Sequence, residues 1–274
     1  AISADGEYFV ARSNDNKVYL FDKDSSTPLW SYNAGTDVSS IAASADGKYV
    51  AASWHHTVAV FDSDSSSPLW TKDTGDTVSS VSISADGEYI VVGLADTGTN
   101  DKVHLFDKDS STPLWTYEPE NDVLSVDISE DGEYIVAGSS DNKVYLFDKD
   151  SSSPSWTYTT SGDVSSVDVS YNGKWIVVGS NDDKIYLFEY SSSSPKWSYT
   201  TGGDIQTIAI SENSRYFIAS SLDKKLYFFR TTTSDDLPLW NLPFDSDISD
   251  ISIGHDAKQI ILGGKDGNVS IFLN

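Results

Sequence analysis

The sequence predicts an all-β fold, a seven-bladed β-propeller of four-stranded antiparallel blades whose last blade is incomplete within the chain. Three observations carry this. The segment Val144–Tyr158 (VYLFDKDSSSPSWTY) recurs as Val18–Tyr32, Val58–Lys72, Val103–Tyr117 and Ile185–Tyr199, and more loosely as Leu226–Asn241. A turn marked by Asp5, Asp46, Asp86 and Asp131, then by Asn172, Asn213 and Asp256, returns at intervals of 41, 40, 45, 41, 41 and 43 residues. No copy of that size buries both faces of its own sheet, so the seven must stack into one body. In each unit, two runs such as Tyr134–Ser139 and Val144–Asp148 are apolar on consecutive residues, which means burial on both sheet faces. Radial packing of small sheets covers both faces where a sandwich covers one.

The fourth unit sets the pattern. Asp122–Ser129 is a first strand and Glu130–Gly132 a tight Asp-Gly turn. Tyr134–Ser139 is the second strand, Ser140–Lys143 a turn and Val144–Asp148 the third strand. Lys149–Pro154 follows as a Ser-rich turn whose Pro pre-sets the backbone for the fourth strand, Ser155–Thr159. That strand, with its P-x-W-x-Y pattern, is more polar and is predicted outermost. The same reading gives units 1–34, 35–75, 76–120, 121–161, 162–202, 203–245 and 246–274 in a single domain without linkers. Unit one holds only Ala1–Ser3 of a first strand. Unit seven has strands at Asp247–Ile253, Gln259–Gly263 and Asn268–Leu273 and no Trp-bearing fourth strand. Val269, Ile271 and Phe272 are therefore expected to form an open apolar edge, a template for pairing with a neighbouring subunit or another protein. With no Met anywhere and a start inside a repeat, the chain is expected to be a mature or excised piece of a longer protein.

A formal charge of −24 repels nucleic acid and anionic lipid and attracts cations or basic partners. No stretch approaches the eighteen or so apolar residues of a membrane span. With no Cys, disulfides and thiolate metal sites are ruled out.

The period and strand order resemble WD40 propellers, without the Gly-His and Trp-Asp signatures of that family. A closer resemblance is to the PQQ-like propeller repeat, A-x-D-x-x-T-G-x-x-x-W with a Gly five residues on. Leu20, Asp22, Ser25, Ser26, Trp30 and Gly35 stand at those spacings. So do Val60, Asp62, Ser65, Ser66, Trp70 and Gly75, and Leu187, Glu189, Ser192, Ser193, Trp197 and Gly202. The resemblance covers all but the last unit. It implies that Trp30, Trp70, Trp115, Trp156, Trp197 and Trp240 are docking residues, each tying its blade to the next. Quinone-dependent dehydrogenases of that family have eight blades and a vicinal disulfide. This chain has seven units and no Cys, so no quinone cofactor is implied.

Strand order sends two loop sets to one face. One set brings Asp37, Asp76, Asp122, Asp163, Asp204 and Asp247, the other Asp15, Asp141, Asp182, Asp183, Asp223 and Asp266. Unit charges roughly 10 Å apart repel by about 1.7 kcal/mol at an effective dielectric of 20, which favours a bound cation or basic ligand. Unit three inserts Asp96-Thr-Gly-Thr-Asn-Asp101, and Asp96, Asn100 and Asp101 offer oxygen ligands suited to Ca²⁺. Trp54, His55 and His56 fill the equivalent turn of unit two as a candidate aromatic contact platform. No Ser/His/Asp arrangement, phosphate loop or paired acid and base stands out from the repeat. The expected function is a non-catalytic binding or structural module of a secreted or cell-surface protein. The alternative is an enzyme, a metal-assisted hydrolase or lyase, using the acidic face.

Overall fold

The computed structural model describes residues 1–95, 102–232 and 236–273. Across them the regular secondary structure is entirely β. Blade one comprises β1 (Tyr8–Ser13), β2 (Lys17–Asp22) and β3 (Trp30–Asn33), with Ile2 bridging antiparallel to Phe9 where a first strand is expected. Blade two comprises β4 (Val38–Ala43), β5 (Tyr49–Trp54), β6 (Thr57–Asp62) and β7 (Pro68–Asp73). Blade three comprises β8 (Val78–Ile83), β9 (Tyr89–Leu94), β10 (Val103–Asp107) and β11 (Trp115–Tyr117). Blade four comprises β12 (Val123–Ile128), β13 (Tyr134–Ser139), β14 (Lys143–Asp148) and β15 (Trp156–Thr159). Blade five comprises β16 (Val164–Val169), β17 (Trp175–Ser180), β18 (Lys184–Glu189) and β19 (Trp197–Thr200). Blade six comprises β20 (Ile205–Ile210), β21 (Tyr216–Ser221), β22 (Lys225–Arg230) and β23 (Trp240–Pro243). Blade seven has three strands, β24 (Ile248–Ile253), β25 (Gln259–Gly264) and β26 (Val269–Leu273). Every sheet runs in chain order with antiparallel neighbours.

Contacts divide the chain into two compact units, residues 1–135 with 148–153, and residues 136–147 with 154–274. In the first, a core of Val10, Val18 and Leu20 from blade one meets Val38, Val50, Ala52, Trp54 and Phe61 from blade two. A second core joins Val58 and Val60 to Val78, Val81, Val92 and Phe106. In the other unit, Val177, Ile185 and Leu187 pack on Ile205, Ile208, Phe217 and Phe229, and Leu226 and Phe228 pack on Ile248, Ile251, Ile260 and Leu262. In blades two to six the second and third strands are buried along nearly their whole length, as in β5 and β6, while the fourth is more open, alternating between exposed and half-buried in β7. The consecutive apolar runs thus lie between two neighbouring blades, and the P-x-W strand lies outermost.

Innermost strands carry a register shift at one recurring place, between Val78 and Ser80 in blade three and between Val164 and Ser166 in blade five. The bulged residue becomes a tie between blades. Ser79 Oγ donates to the carbonyls of Gly93 and Val123, and Ser165 Oγ to those of Gly179 and Ile205. That tie needs close approach, and Gly179 permits it. A Cβ there would stand 2.5 Å from Ile205 Cγ2 and 3.0 Å from Ile205 Cβ. Gly179→Ala is expected to destabilise by about 1–3 kcal/mol through overpacking, read as a lower denaturant midpoint at unchanged slope. An unchanged midpoint would show that the neighbouring blade yields freely.

Candidate functional site

The turn between first and second strands is built the same way in blades one to six, and in blade seven Gly254 replaces its Ser. In blade two, Ser44 Oγ donates to Asp46 Oδ1, the Lys48 N–H donates to the same oxygen, and the Tyr49 N–H donates to Ser44 Oγ. Ser84 with Asp86, Ser129 with Asp131 and Ser170 with Asn172 repeat it. An amide oxygen serves as well as a carboxylate, so these residues hold turns.

The turn between second and third strands holds a second lock, which counting charges along the sequence did not reveal. Tyr19 Oη donates to Asp15 at 2.5 Å, Tyr186 to Asp182 at 2.5 Å and Tyr227 to Asp223 at 2.5 Å, and Tyr145 donates to Asp141 likewise. The residue after each Asp is left-handed: Asn16, Asn142, Asp183 and Lys224 have φ of 67°, 66°, 66° and 63°. This folds the Tyr, four residues on from the Asp, back over the carboxylate. The signal was legible as D-x-x-x-Y in four units. Burial and then the bond to Asp182 push the Tyr186 hydroxyl well above the usual phenol range. Burial pulls the Asp223 carboxyl upward, but hydrogen bonds from Tyr227, Lys225 and Ser221 outweigh it and hold it low.

Acidic residues at the starts of the innermost strands are not equivalent. In the first unit Asp37 is exposed, Asp122 is half-buried and Asp76 is only 5% exposed. In the second, Asp163, Asp204 and Asp247 are half-buried, and Lys265 Nζ stands 3.6 Å from Asp247 Oδ2. Asp204 is held above the usual carboxylate range by burial first, then by the charge and hydrogen bond of Asp183 and the charge of Asp163. Among the described residues, no three His, Asp or Glu side chains converge to hold a metal ion. The Ca²⁺ candidates Asp96, Asn100 and Asp101 lie outside the described residues.

The platform expected at Trp54, His55 and His56 needs correction. Trp54 is 7% exposed, with its ring centroid 5.4 Å from that of Tyr32 inside the core between blades one and two. It closes the second strand, so its side chain points to the buried face. Only the pair beyond it reaches outward: His55 and His56 stack at 3.6 Å, and their carbonyls accept from the Val78 and Thr74 N–H groups.

The Trp residues of the outer strands reach from one blade to the next. Trp30 Nε1 donates to the Ser63 carbonyl at 2.8 Å, Trp70 to Lys108 at 2.6 Å, Trp115 to Lys149 at 2.7 Å and Trp156 to Tyr190 at 2.8 Å. Their rings lie on the Phe of the adjoining third strand, Trp30 on Phe61, Trp70 on Phe106 and Trp156 on Phe188. Trp197 stacks on Phe229 in the same way, but its buried Nε1 has no partner among the described residues. Trp240 stacks on Phe228 of its own blade at 4.9 Å. Trp70→Phe is therefore expected to lower stability by about 0.5–1.5 kcal/mol beyond its packing change. Trp197→Phe, which removes no hydrogen bond among the described residues, is expected to cost less. Equal losses in thermal melts would remove the hydrogen bond from the account.

Blade seven differs from the rest. On the face turned from blade six, Val269, Ile271, Leu273 and Ile261 are 71%, 65%, 81% and 45% exposed. Phe272 points the other way, edge-on to Phe244 at 5.8 Å and packed against the core with blade six. No helix among the described residues is long and apolar enough to cross a membrane.

Among solved structures, the chain is similar to one in the crystal structure of the mitotic checkpoint complex. The identity is 18%, with 99% of this chain and 88% of that chain covered at a TM-score of 0.84, a likeness of fold alone. Among curated proteins nothing matches. A model for PQQ-like repeats, described as outer membrane protein assembly factor BamB, matches residues 2–99 and 55–256. With its Trp residues in phase and that model spanning most of its length, the chain belongs to the PQQ-like β-propeller family.

Proposed function

We propose that this chain is a non-catalytic binding module that holds another protein, or a subunit of its own assembly, against blade seven. The observation that carries the reading is the exposed apolar group Val269, Ile271, Leu273 and Ile261. Contiguous apolar side chains on one sheet face mark interaction surfaces. The acidic residues point the same way, since those of the Ser-Asp and Asp-Tyr turns are engaged in holding the backbone. The family model is described as an outer membrane protein assembly factor. By that analogy the chain works at the cell surface or outside the cell, among envelope proteins, and its charge of −24 selects neutral or basic partners.

A photo-crosslinking residue at Ile271, compared with one at the exposed Asn33, tests the reading in the protein's own envelope fraction. Discrete adducts at 271 and none at 33 are expected. Equal labelling at both positions, or none at either, would overturn it. One observation favours a second reading, an enzyme on the acidic end: the raised Asp204 beside Asp163 and Asp183. That reading requires Asp204→Asn to abolish a hydrolase or lyase activity while leaving the melting curve in place.

A further inference from the structure

Beside the end of the third strand, blades one, three and four hold the same ion pair. Lys23 Nζ stands 3.1 Å from Glu7 Oε2, Lys108 Nζ 3.2 Å from Glu88 Oε1 and Lys149 Nζ 3.0 Å from Glu133 Oε1. Each Lys also meets a second carboxylate, that of Asp24, Asp109 or Asp150. Blade five abandons the arrangement. Lys174 stands in the place of the Glu residues, Tyr190 in that of the Lys residues and Ser191 in that of the Asp residues. The backbone keeps its course, since the Tyr190 N–H donates to the Lys174 carbonyl at 3.0 Å as the Lys149 N–H does to that of Glu133. Further departures fall at the same corner. Trp175 replaces Tyr8, Tyr89 and Tyr134, Lys196 replaces Leu29 and Leu114, and Tyr171 replaces Ala4 and Ala85.

The local charge is thereby inverted. Two carboxylates on one ammonium become two ammonium groups with one carboxylate: Lys174 Nζ lies 3.7 Å from Glu189 Oε1, and Lys196 has no ion-pair partner among the described residues. Both cations gather on one ring, Lys174 Nζ at 4.8 Å and Lys196 Nζ at 5.0 Å from the centroid of Trp175. Trp is the strongest of the aromatic rings for a cation. At 6% exposed, Trp175 steers the two charges from beneath. Tyr171, on the turn that carries Lys174, and Tyr190 are 48% and 40% exposed. Neutral drift would scatter such changes over the repeat. Here they fall at one corner and set like charges together, a cost that an incoming anion offsets.

We propose that this corner of blade five is a docking surface for an acidic segment of a partner protein, whose carboxylates meet Lys174 and Lys196 while its apolar side chains lie against Tyr171 and Tyr190. It is independent of the reading of blade seven. Charge selects the occupant. A long polyanion, whether nucleic acid or an anionic membrane, meets the field of a chain of −24 before it meets two lysines. A second copy brings the same charge again. A partner that is neutral overall, with a few carboxylates in one segment, escapes that repulsion and still satisfies the two ammonium groups. Exposed Tyr side chains suit such a contact, because they offer a large ring at little conformational cost.

An array of octapeptides that permutes Glu, Lys, Leu, Tyr and Ser, probed with the fluorescein-labelled whole chain, tests this. Peptides with two or more Glu beside Leu or Tyr are expected to bind, and their Lys counterparts are not. Binding should weaken at least about tenfold at about 0.5 M salt, where exposed charges are screened. The decisive protein is the triple variant Lys174→Glu, Tyr190→Lys, Lys196→Leu. It returns blade five to the ion pair that blades one and three already fold with, so its melting curve stays in place. Its affinity for the selected peptides should fall at least about tenfold. Absence of Glu-dependent binding, or binding that survives in the triple variant or at high salt, overturns the proposal. If no peptide binds and the triple variant instead abolishes self-association in sedimentation, the occupant is a second copy, and the proposal is overturned as well. None of these results bears on blade seven, which crosslinking at position 271 reports separately.

Discussion

Phe61→Ala is expected to lower the unfolding free energy of the first unit by about 3–5 kcal/mol, well beyond the loss of any single hydrogen bond. Phe61 is fully buried between blades one and two. Trp30 stacks on it at 5.4 Å and Tyr32 meets it edge-on at 5.0 Å, so truncation removes both the transfer energy of the ring and its aromatic contacts. The cavity cannot close, because the Trp30 ring above it is pinned by its bond to the Ser63 carbonyl. Phe21 holds the same place in blade one, where it is half-buried and stacks on Phe9 at 4.8 Å and Tyr19 at 6.0 Å. Phe21→Ala should therefore cost less than half as much. Denaturant titrations followed by Trp fluorescence give both values, and equal losses would show that burial between blades is not the source.

One buried residue should make acidification weaken the fold between about pH 6.5 and 4. His104 replaces a third-strand Tyr and is 8% exposed, with Nδ1 2.8 Å from Thr116 Oγ1 and its ring beside Phe106. Burial, and then the charges of Lys102 and Lys72, push its pKa down to about 4. An unfolded His titrates near 6.5, so between those values the unfolded chain binds a proton that the folded chain refuses. Stability therefore falls as pH drops from about 6.5 to about 4, by roughly 3 kcal/mol in all, and is unaffected by this residue above that window. Carboxylates held low, such as Asp223, act in a different range: their contribution is present above the unfolded value of 3.8 and is lost below it. His104→Gln keeps a polar partner for Thr116 and cannot titrate. The difference between its melting temperatures and those of the parent should change between pH 6.5 and 4 and stay flat above. A constant difference across that range would assign the acid sensitivity elsewhere.

Much of the architecture was legible because the repeat states each element seven times. Consecutive apolar residues in β5, β9 and β17 announced strands buried on both faces, and Pro before Trp announced the outer strand. The three strands of blade seven were legible too, since Asp247–Ile253, Gln259–Gly263 and Asn268–Leu273 each carry the apolar residues of a strand. The site residues were less legible, for geometric reasons. Acidic side chains counted along the chain look alike, yet a left-handed residue beside Asp182 or Asp223 turns a Tyr back over the carboxylate and removes it from the surface. Trp54 looked like part of a turn because His55 and His56 follow it, but the end of β5 keeps the strand's alternation and sends its ring inward. The tie made by Ser79 and Ser165 depends on a bulge, and a bulge leaves no mark in apolar periodicity.

The Trp-to-carbonyl link has an evolutionary consequence. Its acceptor is main chain, and the residues that provide it, Ser63, Lys108, Lys149 and Tyr190, range from a small hydroxyl through two lysines to a phenol. A duplicated blade therefore arrives with a working acceptor for whatever blade precedes it and a Trp for whatever follows. Gain or loss of whole blades by unequal recombination needs no compensating substitution at the joint. Sequence drift at the acceptor is neutral, and the near-identity of the VYLFDKDSS segments is what recent copying of such self-compatible units leaves behind.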